Sequence, residues 1–563
     1  MKFAAVLLAA SCGVLVTLAN GKGPGNYSCG GSAQIRRSAF HFTDPGGCAI
    51  NDPNAPFYDN RTGIYHLFYQ LHVWEDVNKS DCTSGGPGPV WGHAYSRDMV
   101  TWEPLPPALW NDQWYDRCAV YTGSATILAG GPVIMYPGIC QQGDPTHNCT
   151  TGTNLNLAVP SDPGDPLLTN WSKGPTNPVV NNTGRDPSGA WQTTDGNEWR
   201  TVTFDGQVFS SSDGFKSWQR AVGTCVNRKP LPRICSRTLM GCVAPLRRGG
   251  KATHQCPLGC SSRLTSASLG DVIACRRTQP GFPEGECPSL FPLPSPAKPF
   301  GGDSDIGTNS IFRSGSGGGG SNTYSNITHV FKHGGSWHDA YVVGRYDDGP
   351  PGSPGTWTTH HYDSSLLHTT MTHHSLLHGD LYPGTWTTHP MPDGGNPRTQ
   401  MGTAVNVGAA YASKDFLDTR LKGGGRRIIW TWGFGLPGML IPRQVTWDTA
   451  LMQLVFSPLA EFTQLRTDPL PLPHGLNGST LASNESRMIS GSWLPKSAGN
   501  CSELIVRFEA PPLGCAARFG VGLLLGSGRN TSVFVEWQEP PTAVDVRARA
   551  KIPLSNQESA RGR

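Results

Sequence analysis

Short runs of β-branched and aromatic residues, bordered by Gly, Pro, Asn or Asp, succeed one another from about residue 38 to residue 458. Residues 64–70, 119–129, 199–209, 338–345 and 427–433 are examples. Each has the length of a strand, and long helical periods are scarce. The pattern predicts an all-β fold of many short strands, in a sandwich, a barrel or a propeller. No WD-type repeat marks a blade, so the pattern alone does not choose among the three.

Residues 469–473 carry three prolines and read as a linker. Beyond them, residues 503–508, 521–525 and 532–537 again have strand character, which predicts a second, small all-β domain over 470–563 without an evident closing strand. Two stretches interrupt the main pattern. Residues 221–279 hold six cysteines and many arginines with no clear period. Cys256 and Cys260 beside His254 would allow a zinc knuckle, but in an oxidising compartment disulfides are the expected reading. The second stretch, 361–389, follows a Pro-Gly-Thr-Trp-Thr-Thr-His segment at 354–360 and ends on a repeat of it at 383–389. Five histidines lie between the copies; they admit metal binding or a duplicated surface loop. Residues 317–320 are a glycine spacer.

Composition narrows the class. Apolar residues make up 37% and charged residues 15% of the 563, which fits a globular chain and neither a disordered nor a membrane one. The formal charge of +4 leaves nothing that asks for nucleic acid or an anionic membrane. Lys2 followed by an apolar run to Ala19 predicts a signal peptide over 1–21. A membrane anchor is the alternative, for which this run is short. Secretion makes disulfides the default for the cysteines, and the fifteen left after Cys12 departs imply at least one free thiol. Cys287 is the expected one, with a raised pKa, because it adjoins the carboxyl of Glu286 in a segment whose wording resembles a catalytic motif taken up below. Cys501 is expected to pair with Cys515, and the six in 221–279 among themselves. Eleven Asn-x-Ser/Thr sequons, among them Asn60, Asn148 and Asn170, agree with a glycosylated, secreted protein.

Three acidic segments are candidates for chemistry. Asn51-Asp52-Pro53-Asn54 lies between an apolar pair and a strand, so Asp52 sits in a tight turn; by itself this is also ordinary Asx-turn chemistry. Arg185-Asp186-Pro187 sets a guanidinium beside a carboxylate, which should keep it ionised; it reads equally as a surface ion pair. Glu286-Cys287-Pro288 precedes Leu290 and Phe291, surroundings that would raise the pKa of Glu286 as a general acid requires; a plain polar loop is the alternative. Cleaving a glycosidic bond takes one carboxylic acid on the leaving oxygen and a carboxylate on the opposite face.

In order and wording these segments resemble glycoside hydrolase family 32, the invertase and fructanase family. His66-Leu67-Phe68-Tyr69-Gln70, Trp91-Gly92-His93-Ala94-Tyr95-Ser96, Tyr121-Thr122-Gly123-Ser124, His338-Asp339-Ala340-Tyr341 and Tyr411-Ala412-Ser413-Lys414-Asp415-Phe416 are similar to its other blocks. The resemblance covers roughly 38–460 apart from 221–279 and 361–389. It implies a five-bladed β-propeller over 38–460, followed by a β-sandwich over 470–563 that is shorter than the family's and incomplete. It implies hydrolysis of terminal β-D-fructofuranosyl bonds by a retaining mechanism, with Asp52 as nucleophile, Glu286 as acid/base and Asp186 as transition-state stabiliser. Asn51, Gln70, Tyr121, Ser124 and Arg185 would line the sugar pocket, with Trp74 or Trp91 as an aromatic wall. No metal and no cofactor are implied.

The expected partner is a small sugar, sucrose or a fructan, with no nucleic acid and no membrane after signal removal; the oligomeric state stays open. The expected location is extracellular, in the cell wall or in the vacuole. Ala55 departs from the family by standing where Gly is usual. Fructan hydrolysis and fructosyl transfer use the same carboxylates and remain alternatives, as does a non-catalytic sugar-binding relative.

Overall fold

In the computed structural model, the described residues are 2–10, 41–73, 82, 88–144, 146–221, 282–294, 327–335, 338–359, 403–404, 410–421, 424–433, 438–448, 453–470, 479–480, 502–508, 517–525 and 529–537. The chain divides into two compact units, Met1–Ala221 with Pro280–Arg563, and Val222–Gln279. The six cysteines of the second unit, the zinc-knuckle candidate among them, lie outside the described residues. So do Cys501, Cys515 and the histidine-rich segment.

Five consecutive antiparallel sheets make a five-bladed β-propeller. The first blade runs Ala49–Asp59, Ile64–His72, Val90–Ser96 and Glu103–Leu109, in sequence order. In the second, Ala119–Val120 and Ser124–Leu128 both pair with Gly131–Ile139, followed outward by Thr153–Pro160 and Trp171–Lys173. The third has Trp191–Gln192, Trp199–Val202, Val208–Ser211 and Gln219–Arg220. The fourth has Glu286–Pro292, His329–Gly335, His338–Asp347 and Thr356–Thr359, with Thr403–Ala404 added to its third strand. The fifth has Ala410–Asp418, Arg426–Gly433, Arg443–Asp448 and Gln453–Pro458.

Five apolar clusters, one between each pair of neighbouring blades, close the ring. Phe57, Phe68 and Trp91 of blade one meet Val120, Ile134 and Tyr136 of blade two. Leu155 meets Phe209 and Trp218 between blades two and three. Val202 and Val208 meet Phe331 and Val342 between three and four. Phe291 and Val330 meet Ile429 and Val445 between four and five. Tyr65, Leu67 and Leu71 meet Phe416, Ile428 and Trp430 where blade five returns to blade one. Each fully buried Leu, Ile or Phe contributes about 1.5–3 kcal/mol. At the closure Tyr65 also donates a 2.9 Å hydrogen bond to Asp418, which Arg426 holds in an ion pair.

Several sequence expectations are corrected here. Residues 119–129 and 199–209 are not single strands; the first is interrupted at 121–123 and the second by a turn over 203–207. Asn51 to Asn54 are not a tight turn but part of the strand Ala49–Asp59, bent by irregularities in its pairing at Ile50/Pro53 and Asn54/Phe57. The first Thr-Trp-Thr-Thr copy is the fourth strand of blade four, with Trp357 buried, rather than a surface loop. Pro469 belongs to the strand Arg466–Leu470 rather than to a linker.

After the propeller come two separate antiparallel sheets. Ser502–Phe508, Arg466–Leu470 and Ser479–Thr480 all pair with Lys2–Ala10, the apolar segment read as a signal peptide, while Ala517–Leu525 and Arg529–Trp537 form a hairpin. Among the described residues no helix is long and apolar enough to cross a membrane.

Candidate active site

One four-residue segment recurs at the inner edge of each blade: Asn51-Asp52-Pro53-Asn54, Tyr121-Thr122-Gly123-Ser124, Arg185-Asp186-Pro187-Ser188, Glu286-Cys287-Pro288-Ser289 and Tyr411-Ala412-Ser413-Lys414. In the first, fourth and fifth the strand pairing is irregular at this point. Asp186, Cys287 and Ala412, at the same place in their segments, have φ of +58°, +50° and +55°. Such left-handed residues cost roughly 1–3 kcal/mol each and persist only where the surroundings impose them. Asp52, Thr122, Asp186 and Cys287 occupy this one position in four blades, and Glu286 and Arg185 occupy the position before it.

These side chains meet. Thr122 Oγ1 donates to Asp52 Oδ2 at 2.5 Å, and the Cys287 backbone N–H donates to Asp186 Oδ2 at 3.2 Å. Cys287 Sγ lies 3.8 Å from Asp52 Oδ2 and 3.9 Å from Asp186 Oδ2. Arg185 hydrogen-bonds Glu286 and stands 3.7 Å from Asp186. Its guanidinium is stacked on Phe204 at 4.2 Å.

Around Asp52 the bonds continue. Asn51 Nδ2 donates to Asp52 Oδ1 at 3.0 Å and to Gln70 Oε1 at 2.7 Å, and Gln70 Nε2 donates to Thr122 Oγ1 at 2.5 Å. His72 Nε2 is 2.7 Å from Asn51 Oδ1. Beneath the site two buried lysines tie inner segments together. Lys332 Nζ binds the carbonyls of Cys287 and Ser413, and Lys414 Nζ binds Ser124 Oγ and the Pro187 carbonyl.

Burial raises all three carboxyls. Burial pushes Asp52 up to about 7, against the Thr122 bond, with Asp186 and Glu286 adding to the rise. Burial raises Asp186, opposed by Arg185 and Lys414. For Asp186 the sequence expectation was wrong in emphasis: the Arg185 charge does not outweigh desolvation. Burial, then Asp186, raises Glu286, as expected of a general acid. Cys287 is free and buried, and desolvation followed by the two aspartates lifts its thiol well above the usual range. Cys82–Cys118 and Cys140–Cys149 are disulfides, and Cys48 is also disulfide-bonded.

Residues 41–230 match the family described as "Glycosyl hydrolases family 32 N-terminal domain". That segment is thus similar to glycoside hydrolase family 32. An insoluble β-fructofuranosidase isoenzyme, CWINV4, of Arabidopsis thaliana is 28% identical over 77% of this chain and 56% of its own length. A fructan 6-exohydrolase of Beta vulgaris is likewise 28% identical, over 78% of this chain and 56% of its own. An acid β-fructofuranosidase of Phaseolus vulgaris reaches 43% over 29% of this chain and 24% of its own. The chain thus spans about half the length, or less, of these curated relatives. Fructan 1-exohydrolase IIa from Cichorium intybus aligns with a TM-score of 0.46 and 21% identity, covering 90% of this chain and 82% of that one.

Of the family 32 residues expected in the pocket, the structure brings Asn51, Gln70, Arg185 and the three carboxylates together. Tyr121 lies close enough that Arg185, Asp186 and Asp52 act on its phenol. Two expectations are corrected. Trp91 is fully buried against Phe68 and Tyr136, with Nε1 donating to the Tyr121 carbonyl, so it is core rather than a sugar-facing wall. Ser124 is buried, donates to the Pro187 carbonyl and accepts from Lys414, which leaves its hydroxyl no proton to give a sugar. Trp74 lies outside the described residues.

His72, Thr122, Lys332 and Lys414 were not singled out from sequence. Thr122 could have been found by aligning the five inner segments with one another. The period of two from Gln70 along its strand could have found His72. Among the described residues no group of three or more His, Cys, Asp or Glu is arranged to hold a metal.

Proposed function

We propose that this chain hydrolyses terminal β-D-fructofuranosyl bonds, with sucrose as the first substrate to test, by a retaining double displacement. The observation that carries this reading is the meeting of Asp52, Asp186 and Glu286 on inner segments of three blades, each with its carboxyl raised. Asp52 attacks the anomeric carbon while Glu286 gives its proton to the departing oxygen. Glu286 then takes a proton from the water that cleaves the fructosyl ester on Asp52. Asp186 accepts hydrogen bonds from the sugar hydroxyls.

The scheme needs Asp52 ionised and Glu286 protonated together. In the free protein burial favours a proton on Asp52; the three carboxyls titrate as one cluster, and the scheme requires that proton to sit on Glu286 once the fructosyl unit is bound. Asn51, Gln70, Tyr121 and Arg185 orient the fructosyl unit. Fructan hydrolysis and fructosyl transfer differ only in leaving group or acceptor, and relatives named for both activities match this chain. Relatives named as vacuolar and as insoluble support delivery to the vacuole or the cell wall.

The test is Glu286→Ala on two substrates. Sucrose turnover should fall about 100- to 10,000-fold, as loss of a general acid predicts. An aryl β-fructofuranoside, whose leaving group needs no proton, should lose far less in its first step, and azide should restore turnover. Equal loss on both, without azide rescue, removes Glu286 from the acid role.

A further inference from the structure

We propose that His72 is a positioning residue that sets the donor direction of the hydrogen-bond circuit around Asp52. The inference rests on the reading of Asp52 as nucleophile. His72 ends the strand Ile64–His72, two residues past Gln70 and on the same strand face. Its Nε2 is 2.7 Å from Asn51 Oδ1.

Each member of the circuit then has one consistent role. A proton on His72 Nε2 occupies Asn51 Oδ1. That turns the Asn51 amide so that Nδ2 faces Asp52 Oδ1 and Gln70 Oε1. With Oε1 occupied, Gln70 Nε2 faces Thr122 Oγ1, and the Thr122 hydroxyl proton is left to point at Asp52 Oδ2. Both oxygens of Asp52 thereby receive donors, the arrangement that favours a carboxylate. An imidazole with its proton on Nδ1 would reverse the first link. Nε2 would then seek a donor, Asn51 would turn, and its carbonyl oxygen would face Asp52.

Burial lowers the His72 pKa, so the neutral Nε2–H tautomer suffices and no positive charge is needed. The charged groups that bear on Asp52 are Asp186 and Glu286. Both oppose its ionisation, while Thr122 and Asn51 are the bonds that favour it. Asn51 depends on His72 for its direction.

The experiment is an infrared titration of the Asp52 carboxyl in the full chain, with Asp52→Asn to assign the band. It compares wild type, His72→Phe and His72→Gln, each first shown to melt as a folded protein. His72→Phe keeps a ring but has no donor, and the Asp52 pKa should rise by about one unit, the share of one hydrogen bond to a charged group. His72→Gln carries an amide N–H and should titrate as wild type. The acid limb of kcat/KM should move with the carboxyl in His72→Phe and return in His72→Gln. Unchanged titration in His72→Phe overturns the proposal, and so does His72→Gln behaving like His72→Phe. The titration needs no substrate, so a chain that fails to cleave fructosides would sink the proposed function without touching this result.

Discussion

Replacing Asp52 by Asn should make the protein more stable at neutral pH while destroying its activity. The folded-state pKa of Asp52 is raised from 3.8 to about 7. Between those two values the folded chain holds a proton that the unfolded chain has released, so Asp52 erodes stability as pH climbs through that window. At about 1.4 kcal/mol per unit the penalty at neutral pH is about 4 kcal/mol at most. Asp52 is partly exposed and shares its titration with Asp186 and Glu286, so we expect about half of that to be recovered in the variant. Thermal melts should then show Asp52→Asn gaining a few degrees at about pH 7.5 and almost nothing at about pH 4. Turnover should fall by several orders of magnitude. No gain at neutral pH, or an equal gain at both, would refute the claim that the fold penalises ionisation of this carboxyl.

Two further outcomes follow from buried groups. Cys287 should resist alkylation in the native protein at neutral pH and react only on unfolding, because its thiol is buried and raised; prompt native labelling contradicts that. His66 and His93 face each other at 3.1 Å in the core, with His66 lowered to about 4 and His93 well below its ordinary value. Their stability is present above about pH 6.5 and is lost as pH falls toward 4, so urea melts of His66→Gln should lose less stability on acidification than wild type.

Much of the propeller was legible because its inner strands carry chemistry that survives in local wording. Asp52-Pro53, Asp186-Pro187 and Cys287-Pro288 mark three of the five inner segments, and the β-branched and aromatic runs at 338–345 and 427–433 fell inside real strands. The errors have physical causes. Asx-turn composition at Asn51 to Asn54 reads as a turn because a bulged strand uses the same backbone preferences; only pairing with Ile64–His72 distinguishes them. Left-handed Ala55, at φ +39°, shows the same bend from the other side, at a position where the family uses Gly.

Trp91 misled because a tryptophan in a sugar enzyme invites a stacking role, whereas the core between blades one and two claims the ring. Ser124 misled because its hydroxyl is committed to Lys414, a residue 290 positions away that no local reading connects with it. For Asp186, an adjacent arginine in sequence says nothing of how deeply the carboxyl is buried.

The central claim is that Asp52 forms a covalent fructosyl ester with retention at the anomeric carbon. The direct measurement is sucrose cleavage in water containing methanol, with the configuration of the methyl fructoside read by NMR before the enzyme hydrolyses it. The account predicts methyl β-D-fructofuranoside, formed by wild type and absent with Asp52→Asn. Formation of the α anomer, or of the β anomer by Asp52→Asn at the wild-type rate, would contradict it.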